Sequence, residues 1–204
     1  MRVRPATAEP DSRLVERART DARAFGVLYA RYVDRVYAYT FHRVGSVEDA
    51  EDLTSRAFFH ALAALDTYRD QGAPFSAWRF RIAHNLVATW HRDRRRHPLV
   101  GLDQVAWPAS AEYGGRVPDG LDDPTMWRAI RRLDPDRQAL LVLKFADGLS
   151  NAEIALVLGR SESGVKSLYH RTLVDLRTMM GAERKGAEWA LPHVELEGGS
   201  PGAR

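Results

Sequence analysis

Residues 150–177 read SNAEIALVLGRSESGVKSLYHRTLVDLR, and this stretch decides the fold class. Ser150 followed three residues later by Glu153 is a capping box: each side chain takes one of the unpaired N–H groups at a helix start. Ile154, Ala155 and Leu158 follow at helical spacing, and Gly159 ends the segment, because glycine tolerates the left-handed conformation just past a helix. A longer helix is expected from Ser161 to about Met179. A short helix, a glycine turn and a longer helix make a helix-turn-helix. Ile154 and Leu158 are expected to meet Val165 and Leu173. Lys166, Ser167, His170 and Arg171 then face outward, with side chains of the kind that reach base edges and phosphates. The free N–H groups at that helix start, around Ser161 to Ser163, suit a phosphate. The same spacing also fits a helical hairpin with a solvated basic face.

Working back toward the N-terminus, Asp134-Pro135 and Asp123-Pro124 each place an N-cap before a proline at the first helical position. The helix after Pro135 carries Leu140, Leu141, Leu143 and Phe145 and is expected to end at Gly148. Between Pro98 and Asp123 no apolar period survives. Pro108, Gly114, Gly115, Pro118 and Gly120 punctuate a stretch in which Asp103, Glu112, Asp119, Asp122 and Asp123 face Arg116. That is a flexible acidic linker.

Before it lies a second helical block. A short helix from Asp11 carries Leu14, Val15 and Ala18. Asp21 caps a helix bearing Phe25, Leu28, Tyr29, Tyr32, Val33, Val36 and Phe41, which should end near Gly45. Ser46 caps the next, with Glu48, Asp49, Glu51 and Asp52 at its start, where the macrodipole favours anions, and with Ala50, Leu53, Ala57, Phe58, Ala61, Leu62 and Leu65 inward. A fourth helix, from Phe75 to Arg96, turns Trp78, Ile82, Ala83, Leu86, Val87 and Trp90 inward. Its remainder holds six arginines, Arg79, Arg81, Arg92, Arg94, Arg95 and Arg96, against Asp93. Such a stripe can track phosphates, and Asn85 can read a base edge. The loop before it, Tyr68-Arg69-Asp70-Gln71-Gly72-Ala73-Pro74-Phe75, offers the aromatic, amide and backbone groups that hold an unstacked base.

Strand signals are poor throughout, so the fold class is all-α. The 204 residues are 45% hydrophobic and suffice for two small domains with packed cores. With no cysteine, disulfides, thiolate metal sites and cysteine nucleophiles are excluded, and no constellation of an enzyme, metal site or cofactor site is present. Net charge is only +3, but the positive charge is nearly all arginine, with lysine only at Lys144, Lys166 and Lys185. Arginine suits bidentate phosphate and guanine contacts, although codon bias gives the same composition. No apolar run reaches membrane-spanning length and Met1 to Pro10 lacks a signal-peptide core, so a cytoplasmic protein without membrane insertion is expected.

Both blocks resemble one family, the extracytoplasmic-function (ECF) group of bacterial sigma factors. Residues from about Leu14 to His97 resemble sigma region 2, through Ala24-Phe25 with Leu28-Tyr29, the run from Glu48 to Leu53, and the run from Phe75 to Asn85. Residues from about Asp123 to Arg177 resemble region 4, through Leu133-Asp134-Pro135, Arg137, Glu153-Ile154-Ala155, Leu158-Gly159, Val165-Lys166-Ser167 and Leu176-Arg177. The resemblance implies a flexible arm (1–10), region 2 (11–97), a linker (98–122), region 4 (123–181) and a mostly disordered tail (182–204). It implies core RNA polymerase and promoter DNA as partners, admits an anti-sigma factor, and calls for no cofactor.

By that resemblance the −10 element is melted and held as a single strand by Tyr68, Arg69, Asp70, Gln71, Phe75, Arg81, Asn85 and Arg92. The −35 element is read as duplex by Arg160, Ser161, Ser163, Lys166, Ser167, His170 and Arg171. The polymerase docks on Glu48, Asp49, Glu51, Asp52, Ser55, Arg56 and Phe59. Gly164 and Leu168 depart from the threonine and arginine usual in the family; Gly164 is expected to weaken the helix start, and Leu168 to remove a DNA contact. The competing expectation is a conventional helix-turn-helix regulator of duplex operators, which needs neither the loop nor the aromatic-basic helix of the first block.

Overall fold

A computed structural model describes residues 9–69, 73–96, 124–145 and 147–189, and among them all regular structure is helical. The first block contains α1 (Asp11–Ala18), α2 (Ala22–Val44), α3 (Val47–Ala63), a single 3-10 turn (Leu65–Thr67) and α4 (Phe75–Arg96). The second contains α5 (Pro124–Arg131), α6 (Pro135–Phe145), α7 (Asn151–Leu158) and α8 (Glu162–Trp189). The expected arm (save Glu9 and Pro10), the linker and residues 190–204 lie outside the described residues.

The helix boundaries follow local chemistry. Asp21 accepts a hydrogen bond from the Arg23 amide at 2.9 Å and Ser46 one from the Asp49 amide at 3.3 Å. Ser150 and Glu153 close the capping box reciprocally, at 3.2 and 2.8 Å. Gly45 and Gly159 end α2 and α7 with φ of 70° and 65°. At Gly159 only the backbone conformation opposes a side chain, since an added Cβ would meet nothing within 4 Å. Gly159→Ala should therefore cost about 1–2 kcal/mol, lowering the melting temperature by roughly 2–8 °C, as calorimetry would measure.

The core of the first block runs through Leu14, Leu28, Tyr32, Val36, Tyr39, Leu53, Phe58, Phe80 and Val87. Three expectations need correction here. Tyr29 and Leu62 are 44% and 49% exposed, so neither belongs to the core stripe. Phe80 is fully buried although it falls off the expected apolar face of α4. Arg79, assigned to the outer basic stripe, is 2% exposed. Helix α4 packs against α2 and α3 on one side and against α7 on another, so more than one face of it is covered.

In the second block, Leu168, Thr172 and Leu176 join Val165 on the inner face of α8, while Leu173 is 40% exposed. Leu168 is thus a core residue rather than a lost DNA contact. Helix α8 also continues to Trp189, so residues 182–189, expected in a disordered tail, are helical in backbone. The two blocks are packed on one another: α4 lies along α7, α2 meets α6, and one apolar cluster runs from Leu14 through Phe80 to Leu143 and Val165. No described helix is long and apolar enough to cross a membrane.

Candidate nucleic-acid interface

Helix α4 carries its polar stripe on the side away from the core. Arg81, Asn85 and Arg92 are all exposed, and their spacing of four and seven residues aligns them on one face. Ala88, Arg92, Arg95 and Arg96 line a shallow groove beside them. Arg92 is held in part by the Thr89 hydroxyl at 3.0 Å, whereas Arg94 turns inward, where it binds Asp49 at 3.3 Å and stacks 4.8 Å from the Trp90 ring. The positive potential here comes from arginine alone at neutral pH. Burial pushes His42 and His91 down to about 4 and lowers His84, which shares a 2.9 Å hydrogen bond with the Tyr39 hydroxyl.

The loop ahead of α4 is built differently from the expectation. Tyr68 and Phe75 are 6% and 2% exposed. The Tyr68 ring packs against Trp78 (centroids 4.8 Å apart) and Phe75 (6.0 Å), and its hydroxyl donates to the Ala73 carbonyl at 2.8 Å. Arg19 holds the Tyr68 carbonyl at 2.9 Å. Tyr68 and Phe75 therefore brace the loop from beneath instead of presenting a ring face to a base. Arg69 is exposed, with one guanidinium nitrogen on the Asp66 carbonyl at 2.6 Å. Asp70 and Gln71 lie outside the described residues.

The helix-turn-helix presents its expected surface. Ser163, Lys166, Ser167, His170 and Arg171 are exposed and lie on one face of α8, at spacings of three, four, seven and eight residues. Lys166 pairs with Glu162 at 2.8 Å and Arg171 donates to the Ser167 carbonyl at 3.3 Å, both at the surface. Arg160 is ion-paired to Asp136. Ser161 caps α8 by accepting from the Gly164 amide at 3.1 Å. A Cβ at 164 would stand 3.0 Å from that same serine oxygen, so glycine here is matched to its cap.

On α3, Glu48, Glu51, Asp52, Ser55 and Arg56 are exposed, and Phe59 is exposed to 70%. Arg56 makes only a loose pair with Asp52 at 3.4 Å. Leu62 adds an apolar neighbour that periodicity had placed inside. Asp49 is the exception in this group: it accepts from the Trp90 indole at 3.1 Å as well as from Arg94, which ties α3 to α4.

Residues 28–97 match the family described as sigma-70 region 2, and residues 125–176 match sigma-70 region 4. The ECF RNA polymerase sigma factor BldN of Streptomyces coelicolor is 38% identical over 183 residues, covering 87% of this chain and 69% of BldN. The ECF sigma factor SigW of Bacillus subtilis is 32% identical over 172 residues, covering 78% and 90%. Among solved structures, the sigma factor RpoE in complex with the anti-sigma factor NepR from Bartonella quintana superposes with a TM-score of 0.63 at 24% identity, covering 77% of this chain and 96% of RpoE. At that identity the likeness is one of fold.

Proposed function

The chain belongs to the ECF sigma factors of the sigma-70 family, and on that premise we propose how its surfaces divide the work of promoter recognition. Arg81, Asn85 and Arg92 on α4 hold the melted −10 strand together with Arg69, Asp70 and Gln71, which precede that helix in sequence. Arg160, Ser161, Ser163, Lys166, Ser167, His170 and Arg171 read the −35 duplex. Glu48, Glu51, Asp52, Ser55, Arg56 and Phe59 dock on core RNA polymerase. Tyr68 and Phe75 act indirectly, by fixing the loop. An anti-sigma factor is a further partner, and the protein works in the cytoplasm by recognition without covalent chemistry.

One observation carries this reading: an arginine–asparagine stripe on α4 lies in the block that precedes the helix-turn-helix, in the region 2 to region 4 order. A regulator of duplex operators would leave that stripe without a task. Separating strands costs about 1.4 kcal/mol per stacked step, which polymerase docking and capture of the freed bases must supply together.

The two DNA surfaces are separable by mutation. Arg171→Ala should weaken binding to −35 duplex by about 1–3 kcal/mol, roughly 5- to 150-fold, in a fluorescence titration. Asn85→Ala should leave that titration unchanged yet lower open-complex formation, seen as permanganate reactivity of unpaired thymines. The assignment fails if Asn85→Ala weakens duplex binding as strongly as Arg171→Ala does, or if the wild-type chain does not redirect initiation by core polymerase.

A further inference from the structure

Two arginines from distant parts of the first block end on one oxygen. Arg19 stands just past the last residue of α1, and its Nη2 donates to the Tyr68 carbonyl at 2.9 Å, across 49 residues of sequence. Arg69 Nη1 donates to the same carbonyl, also at 2.9 Å, and to the Asp66 carbonyl at 2.6 Å. The two donating nitrogens are therefore no farther apart than twice 2.9 Å. A cation at a helix C-terminus is ordinary, since the macrodipole favours it. That does not account for the reach of Arg19 to the loop ahead of α4, beside a second guanidinium.

Like charges held this close repel one another, and the neighbouring carboxylates do little to offset them. Glu16 meets Arg19 at 3.3 Å but is mostly exposed, so water screens the pair. Arg69 spends its hydrogen bonds on the carbonyls of Asp66 and Tyr68, and no carboxylate among the described residues pairs with it. A guanidinium carries five N–H donors in a fixed fork. Arg19 commits one to Tyr68 and one, loosely, to Glu16, while its Nε is buried without a partner among the described residues. The side chain as a whole is 25% exposed, so part of the fork faces water.

An anion with more than one acceptor oxygen satisfies both groups. A backbone phosphodiester is such an anion, and arginine takes it with two parallel N–H bonds. The carbonyl that the two arginines share is itself held in place. The Tyr68 ring packs on Trp78 and its hydroxyl bonds the Ala73 carbonyl, so the two guanidiniums converge on a braced point at the start of the loop. A phosphate contact reads no base; it fixes where the strand lies.

We propose that Arg19 and Arg69 form a clamp for one backbone phosphate of the melted −10 strand, and that Arg19, which precedes the stretch matching region 2, thereby sets the register of that strand on the loop. The proposal rests on the promoter reading above and adds to it one residue and one ligand group.

Start sites are first mapped for core polymerase carrying the full chain. The melted −10 strand of a promoter that it uses is then made as a labelled single-stranded oligonucleotide, and its binding to the reconstituted polymerase is titrated over a range of salt. Arg19→Gln keeps a donor for the Tyr68 carbonyl but drops the charge. It should lower the slope of log affinity against log salt by about 0.7, the share of one phosphate on a single strand, and weaken binding about fivefold at 0.1 M salt. Arg19→Lys should keep the slope. Oligonucleotides bearing one neutral methylphosphonate locate the phosphate: a single position should cost the wild type about fivefold and cost Arg19→Gln and Arg69→Gln almost nothing. Glu16→Gln, at an exposed site, releases Arg19 and should tighten binding by up to about twofold. That gain should vanish at the same methylphosphonate, a readout that leaves both arginines in place. A purely structural role for Arg19 would give equal losses at every position. The clamp is overturned if Arg19→Gln leaves the slope unchanged, or if the two arginine variants do not spare the same position. If polymerase carrying the wild-type chain initiates nowhere, the promoter reading fails and the clamp falls with it; if it initiates and no position is spared, the clamp alone fails.

Discussion

Phe59→Ala is expected to weaken association with core RNA polymerase by about 2–3 kcal/mol, roughly 30- to 150-fold, with the melting temperature almost unchanged. The asymmetry follows from where the ring sits. Phe59 is 70% exposed, and among the described residues its aromatic neighbour is His60, the next residue on the same helix, with centroids 6.1 Å apart. Truncating it removes little from the folded chain, and substitutions at such positions usually stay within about 0.5 kcal/mol. Yet Phe59 and Leu62 form an apolar spot rimmed by Ser55, Arg56 and Asp52. An aromatic anchor inside a polar ring is the arrangement in which interface energy concentrates. A fluorescence-anisotropy titration against core enzyme reads the effect directly. Affinity within twofold of wild type would move the docking surface off this face of α3.

The helix starts and stops were legible because they are local. Asp21, Ser46 and Ser150 cap α2, α3 and α7 through side-chain bonds to amides two or three residues on, and Gly45 and Gly159 end α2 and α7 through their own φ. The exposed polar face of α8 was legible for the same reason: once the helix is placed, Lys166, Ser167, His170 and Arg171 share a side. What periodicity missed lies where a helix touches more than one partner. Helix α4 is covered by its own block and by α7, so Phe80 and Arg79 are buried off the main apolar stripe. Leu168 was read as the loss of a DNA contact by its resemblance position, although its spacing from Val165 and Thr172 puts it on the inner face. The orientation of Asp49 depends on Trp90, 41 residues away, while a carboxylate at a helix start already has a sufficient local explanation in the macrodipole.

Phe80→Ala should be the most damaging single substitution to the first block, costing about 3–5 kcal/mol for the lost ring and the cavity it leaves. The ring is fully buried and meets Tyr39 edge-on, with centroids 5.5 Å apart and planes at 65°. Such a pair adds about 0.5–1.5 kcal/mol beyond area burial. Tyr39 is itself fully buried and bonded to His84, so the cavity would open where the surroundings have little freedom to collapse. Against a typical total of about 5–15 kcal/mol for a domain, this approaches the whole stability of a small helical block. The shape of the urea transition then tests the packing between the two blocks as well as the core. The ring belongs to α4 of the first block, so the loss should fall first on α1–α4. Circular dichroism should show an early step for that block and a later one for the separate apolar cluster of Ala129, Ile130, Leu133, Leu141 and Leu176 in the second block. A single transition displaced as a whole would instead mean that the two blocks share one cooperative core, as the apolar cluster that spans them allows.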